Sequence, residues 1–178
     1  MNITRLLEEC CYPEAIEKLN EQLKQNHQSY YNLVFIYQDL GYTYGMLDEY
    51  DLKVESYQKS IKYALKLIEE HHQDSTLLYA VIARNYELLK DYEQALHYYK
   101  LYSKSIGIID EHSDLNQKRE KAKAFFSIGL MYAYLSNKEL EIMAYRKAVS
   151  LREEIYAQTQ DDKDLEALIS IRTCMKYV

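Results

Sequence analysis

The chain has 178 residues, 48% of them apolar and 28% charged, with one Pro and four Gly; Gly and Pro this scarce exclude collagen-like, low-complexity and turn-rich all-β chains and point to helices. The 28 Asp and Glu outweigh 22 Lys and Arg for a net charge of -6, with both signs interleaved along the chain, which excludes a nucleic-acid surface built on clustered cations. No run approaches the roughly 18 apolar residues of a membrane span, and Arg5, Glu8 and Glu9 stand where a signal peptide needs an apolar stretch, so the expectation is a cytoplasmic protein whose folding buries roughly 70% of its extended-chain surface.

Hydrophobic periodicity predicts nine helices, at about 2–10, 13–25, 28–45, 48–70, 75–89, 92–109, 115–135, 138–157 and 162–177. The first is short. Pro13 falls in the first turn of the second, Tyr12-Pro13-Glu14-Ala15-Ile16-x-x-Leu19, where a missing N–H breaks no helical bond. The third, fifth and seventh share one order of large and small residues: Tyr37-x-x-Leu40-Gly41-x-x-Tyr44, Tyr79-x-x-Ile82-Ala83-x-x-Tyr86 and Phe125-x-x-Ile128-Gly129-x-x-Tyr132. The fourth, sixth and eighth carry stripes at Tyr50, Val54, Tyr57 and Ile61, at Tyr92, Ala95, Leu96 and Tyr99, and at Ile142, Tyr145, Ala148 and Val149. The ninth keeps the first-helix spacing in Leu168-x-x-Ile171-Arg172-x-x-Met175. Polar breaks at His71 to Ser75, Asp110 to Asp114 and Thr159 to Asp162 include the N-cap candidates Ser75 and Asp162, and Asp48 and Asp91 stand just before second helices.

Each pair of helices reads as a hairpin whose joint is the small residue. Gly41, Ala83 and Gly129 let the two axes approach closely while the flanking large residues fill the surrounding volume. Ala95 plays the matching small role in its second helix, but Lys53 and Glu141 hold the corresponding positions of the other two and must lead their charges outward over aliphatic stems. Arg172 replaces the small residue of the ninth helix, as suits a helix with no partner following it. Tyr37, Tyr44, Tyr57, Tyr86, Tyr99, Tyr132 and Tyr145, of the twenty tyrosines, belong to these joints. The pairs Tyr30-Tyr31 and Tyr98-Tyr99 send one ring inward and the other about 100° around the helix toward solvent.

The order aromatic, Leu-Gly, Tyr, then Ala and an aromatic resembles the tetratricopeptide repeat (TPR), best matched from Tyr79 to Tyr102. Leu40, Ile82 and Ile128 are spaced by 42 and then 46 residues, longer than the usual period of about 34, because helical patterns run on through Ser56 to Glu70 and Glu93 to Ile109. Such long repeats are similar to those of kinesin light chain and of bacterial peptide-sensing regulators, with Ala148 to Ile155 (AVSLREEI) the most similar string. The resemblance implies an all-α, TPR-like α-solenoid of stacked antiparallel hairpins. It forms one domain, 1–178, with a short N-terminal repeat at 1–27, full repeats at 28–74, 75–114 and 115–160, and a capping helix at 161–178. It also implies a right-handed superhelix with the first helices on its concave face.

A concave face of this kind is a preformed groove for an extended peptide or a helix of a partner protein. The first-helix residues that point away from the joints would line it: Gln38, Tyr42 and Met46, then Ala80, Arg84, Glu87 and Leu88, then Lys123, Phe126, Leu130 and Tyr134. TPR co-chaperones that grip a C-terminal carboxylate use Lys, Asn and Arg at matching positions, and only Arg84 and Lys123 offer a cation here. The expected occupant is therefore apolar or amphipathic, anchored by Tyr42, Phe126 and Tyr134 and oriented by Arg84. The competing reading of these aromatics is packing against neighbouring repeats.

No catalytic constellation stands out. His71 and His72 point in different directions with no ligand set at metal spacing, so neither metal nor cofactor is expected. Cys10, Cys11 and Cys174 read as small buried hydrophobes in a reducing compartment. The glycines at 41, 45, 107 and 129 are isolated within helical patterns and make no phosphate loop. The expected function is a non-enzymatic protein–protein interaction module, with protein or peptide partners rather than nucleic acid or membrane. The alternatives are a regulatory peptide sensor or secretion-type chaperone, an enzyme with an unrecognised site, and a scaffold that self-associates as a homodimer through apolar ends at Leu6, Leu7, Ile171, Met175 and Val178.

Overall fold

The computed structural model describes residues 2–25, 29–71 and 75–176, and every regular element among them is an α-helix. The chain divides into two compact units, Met1–Lys90 and Asp91–Val178. The division runs through the expected repeat 75–114, between its two helices.

In the first unit α1 (Ile3–Glu8), α2 (Tyr12–Lys24), α3 (Tyr30–Met46), α4 (Tyr50–His71) and α5 (Thr76–Leu88) each pack on the helix before. Pro13 sits in the first turn of α2, and Ser29 caps α3 by accepting from the Asn32 N–H at 3.2 Å. Leu19, Ile36 and Leu40 form the core between α2 and α3, closed by Ile3, Ile16, Leu23, Tyr37 and Tyr44. The α3–α4 joint lies where predicted. A Cβ on Gly41 would stand 2.7 Å from two ring atoms of Tyr57, whose side chain is 1% exposed, so the backbone of α3 presses directly on the ring. One turn on, the Lys53 stem passes 3.3 Å from the place of a Cβ on Gly45. The room that α4 lacks for want of a small residue at position 53 is thus supplied by α3. Beside this joint Tyr63 stacks on both Tyr30 and Tyr37, at centroid distances of 5.6 and 5.7 Å, and Lys66 and Lys59 hold their ammoniums over the Tyr30 and Tyr37 rings.

In the second unit α6 (Tyr92–Ser105), α7 (Leu115–Tyr134), α8 (Lys138–Thr159) and α9 (Asp162–Lys176) follow the same order of packing. Gly129 repeats the joint, its absent Cβ falling 2.5 Å from the Tyr145 ring. The capping helix α9 lays Ile171 on Tyr145 and Ala148, and Phe125, Phe126, Leu130, Val149, Cys174 and Met175 pack around them. At its other end α9 is fixed electrostatically. Asp164, 4% exposed, accepts two hydrogen bonds from Arg119 of α7 at 3.0 and 2.6 Å, one from Thr159 at 2.9 Å and a longer one from Arg152 of α8 at 3.4 Å. The buried Lys118 of α7 pairs with Glu154 of α8, and the exposed Arg172 pairs back onto Glu153 of α8.

Four short turns between consecutive helices share a device that the sequence does not advertise. Cys10, Asp48, Lys90 and Ser136 in these turns all take positive φ, 57 to 63°. In the turns at Cys10, Asp48 and Ser136 the next N–H reaches back to the carbonyl five residues earlier: Cys11 to Leu6, Glu49 to Tyr44 and Asn137 to Tyr132, at 2.8, 3.0 and 2.9 Å. These are Schellman closures made without glycine. Left-handed backbone costs a side-chain-bearing residue roughly 1–2 kcal/mol, while glycine loses somewhat more entropy on folding. Lys90→Gly and Ser136→Gly, both at exposed positions, should each stabilise by about 0.5–1 kcal/mol in chemical denaturation; a lower midpoint in either variant would show that these side chains contribute more than the strain removes.

Several expectations are corrected. The α6 helix ends at Ser105 rather than 109, because Gly107 turns left-handed at φ 87° and starts an irregular segment; Gly107 is thus outside any helix. The capping oxygen at α9 belongs to Asp161, which accepts from the Lys163 N–H at 2.8 Å, and Asp162 is already helical. Asp48 forms the left-handed turn itself. Cys10 is exposed at its turn and not a buried hydrophobe, whereas Cys11 and Cys174 are half-buried. Leu6 and Ile171 are buried, so they offer no free apolar edge. The side chain of His71, and His72, Gln73, Asp74 and Val178, lie outside the described residues.

Candidate functional site

In the first unit the candidate residues come from α3 and α5, and a buried polar chain ties these helices together. Ser60 of α4 donates to the Val34 carbonyl at 2.8 Å, Asn85 of α5 donates to the Ser60 hydroxyl at 2.8 Å, and Gln38 of α3 donates to the Asn85 carbonyl oxygen at 3.2 Å. Asn85 and Ser60 are fully buried, and each buried polar group in the chain of bonds has a partner, as a low-dielectric interior requires. Gln38 is therefore half-buried and held by its own amide, with a structural task beside any contact with a partner. Periodicity gives no hint of Asn85, which occupies a position that reads as one more inward residue of α5.

Tyr42 and Met46, one turn apart on the next stretch of α3, are 45% and 49% exposed. Tyr42 stands near Tyr12 of α2, whose hydroxyl is pushed up to about 12, first by its hydrogen bond with Cys10 and further by burial and by Tyr42. On α5, Arg84 is exposed and bonds Glu87 at 2.7 Å, so two of the expected lining residues engage each other, while Leu88 closes the helix half-buried. The guanidinium is open to solvent while the Glu87 carboxylate is half-buried.

In the second unit Lys123, Phe126, Leu130 and Tyr134 follow one face of α7. Its ends are open and its middle is covered. Lys123 is exposed, and Tyr134 is 56% exposed with its ring stacked on Tyr92 at 4.3 Å and 10°. Phe126 instead tilts against Tyr145 at 5.7 Å, and it and Leu130 pack against the cluster that Tyr145 and Ala148 of α8 form with Ile171 of the capping helix. Both are half-buried. Among the described residues no three His, Cys, Asp or Glu side chains are placed to hold a metal ion, and no helix is long and apolar enough to cross a membrane.

No family model matches the sequence, and no curated protein matches it by sequence. By structure the chain is similar to BtubC (BKLC) from P. vanneervenii, with a TM-score of 0.55 and 18% identity over 94% of this chain and 73% of that one. It is also similar to a putative kinesin light chain with nearly identical TPR-like repeats from Podosopora anserina, and to a singly substituted form of that protein. Both give a TM-score of 0.51 at 15% identity, covering 99% of this chain and 94% or 93% of theirs. At these identities the likeness is one of fold: the chain has an all-α, TPR-like repeat fold of antiparallel helix hairpins.

Proposed function

We propose that this protein is a non-enzymatic interaction module for an apolar or amphipathic peptide, or a helix, of a partner protein, with α3 presenting one open face in the first unit and α7 another in the second. The observation that carries the reading is the exposure of Tyr42, Met46 and Tyr134 on α3 and α7. Tyr134 is backed by Tyr92, so docking against it would freeze little side-chain freedom. Arg84, by exchanging its bond to Glu87, and the exposed Lys123 would each orient an acidic group of a partner. Phe126 and Leu130 act as support beneath the surface, packed against the cluster of Tyr145, Ala148 and Ile171. A regulatory sensor and a secretion-type chaperone are special cases of the same binding. The three free thiols, Cys10, Cys11 and Cys174, suit a reducing cytoplasmic compartment.

Selection of a displayed peptide library on the full chain tests the reading. Peptides recovered on the native protein should lose at least about tenfold in affinity for Tyr42→Ala combined with Tyr134→Ala, since an aromatic anchor contributes on the order of 1 kcal/mol or more. Circular dichroism of the double variant should match the parent. Peptides that bind the double variant equally well would refute this surface.

A further inference from the structure

The second unit carries a second, chemically different surface. Lys121, Phe125, Ile128 and Tyr132 run along the face of α7 opposite to Lys123, Phe126, Leu130 and Tyr134, about half a turn away at 100° per residue. There α6, α7 and α8 form an open cavity of about 310 Å³ lined by Lys100, Lys104, Lys121 and Lys147 together with Phe125 and Tyr132. A neighbouring cavity of about 410 Å³ shares Lys121, Phe125 and Lys147 and opens toward Ile108, 92% exposed. Both volumes lie in the range of small-molecule sites.

The charge arrangement is one-sided in an otherwise acidic chain. No Asp or Glu lines either cavity, and among the described ion pairs none involves these four lysines. The ammoniums rest on rings instead: Lys100 over Tyr132 at 5.2 Å, and both Lys121 and Lys147 over Phe125 at 5.5 and 5.3 Å. Lys121 spends two of its donors on the carbonyls of Ser103 and Gly107 and keeps a third. Burial, and then the charge of Lys147, lowers its affinity for its proton. Two like charges over one ring, without a carboxylate beside them, are a repulsive arrangement that an anion would relieve.

We infer that this cavity binds a phosphomonoester with an apolar or aromatic body, its phosphate bridging Lys121 and Lys147 and its body lying on Phe125 and Tyr132. A dianion with three terminal oxygens answers several ammoniums at once, which a single carboxylate does not. The aromatic and aliphatic lining selects for the body rather than for free phosphate.

Calorimetric titration of the full chain with 1-naphthyl phosphate tests this, with 1-naphthol, 1-naphthoate and inorganic phosphate as comparators. The phosphomonoester should bind saturably, at least about tenfold tighter than each comparator, and should weaken strongly at about 0.5 M salt. Lys147→Gln and Lys100→Gln, at exposed positions, should each weaken it about tenfold and leave the fold intact by circular dichroism. Ring resonances of Phe125 and Tyr132 should shift with the titration. Equal affinity for 1-naphthol, an unchanged affinity in Lys147→Gln, or shifts confined to other rings would each overturn the assignment.

Discussion

Replacing Asp164 by Asn should destabilise the second unit by about 3–5 kcal/mol at neutral pH, the usual cost of removing one partner from a buried ion pair. The carboxylate is 4% exposed and receives Arg119, Arg152 and Thr159 together. Without it Arg152, 14% exposed and with its Nε already unpartnered, would lose its ion-pair partner and keep only the weaker influence of Glu120. Thermal unfolding should fall by about 10 °C for a domain of this size. The pH dependence is the sharper check. The hydrogen bonds from Arg119, followed by that from Thr159 and the two guanidinium charges, hold the Asp164 carboxyl below its ordinary value against the opposing effect of burial. A depressed carboxyl contributes its stability above the unfolded value of about 3.9 and loses it as pH falls through the folded one. The gap between parent and variant should thus stay constant from neutrality down to about pH 5 and close only below about pH 4. A gap that closed between pH 6 and 7, or a change under about 1 kcal/mol, would mean that Asp164 does not hold α9 in place.

That cluster marks the limit of what the sequence discloses. Helix positions and the glycine joints are legible because they repeat at fixed spacing: Tyr57 follows Gly41, and Tyr145 follows Gly129, by the same sixteen residues. Asp164 and Arg119 lie 45 residues apart in the chain, and Gln38 and Asn85 lie 47 apart, so neither pairing leaves a periodic trace. The four lysines of the α6–α8 cavity are likewise scattered over three helices, and read singly they look like ordinary solvated charges. The left-handed turns at Lys90 and Ser136 went unannounced because glycine, the usual signal, is absent. On α7, spacing places Lys123, Phe126, Leu130 and Tyr134 on one face but does not tell that Phe126 and Leu130 pack into the cluster of Tyr145, Ala148 and Ile171 while Tyr134 stays open. Only the depth of packing against that cluster separates these residues.

The glycines should respond to alanine in opposite directions, because two opposing effects of similar size are weighted differently at each. Alanine gains about 1 kcal/mol of helix propensity over glycine, and a methyl forced into a filled core costs about 1–3 kcal/mol. At Gly129 the added Cβ would lie 2.5 Å from two ring atoms of Tyr145 and 3.2 Å from its Cγ, so the whole ring must move. It has nowhere to go: Phe126, Ala148 and Ile171 surround it. Overpacking wins there, and Gly129→Ala should destabilise by about 1–2 kcal/mol net, with Gly41→Ala close behind against Tyr57 at 2.7 Å. At Gly45 the neighbour is the Lys53 stem at 3.3 Å, a flexible chain that can yield, so Gly45→Ala should be neutral or stabilise by up to about 1 kcal/mol. Chemical denaturation of the three variants reads the order directly. Adding Tyr145→Leu to Gly129→Ala should make the alanine less costly than it is alone, since the clash partner is gone. If Gly129→Ala stabilised as Gly45→Ala does, the close backbone-to-ring contact at the α7–α8 joint would be wrong.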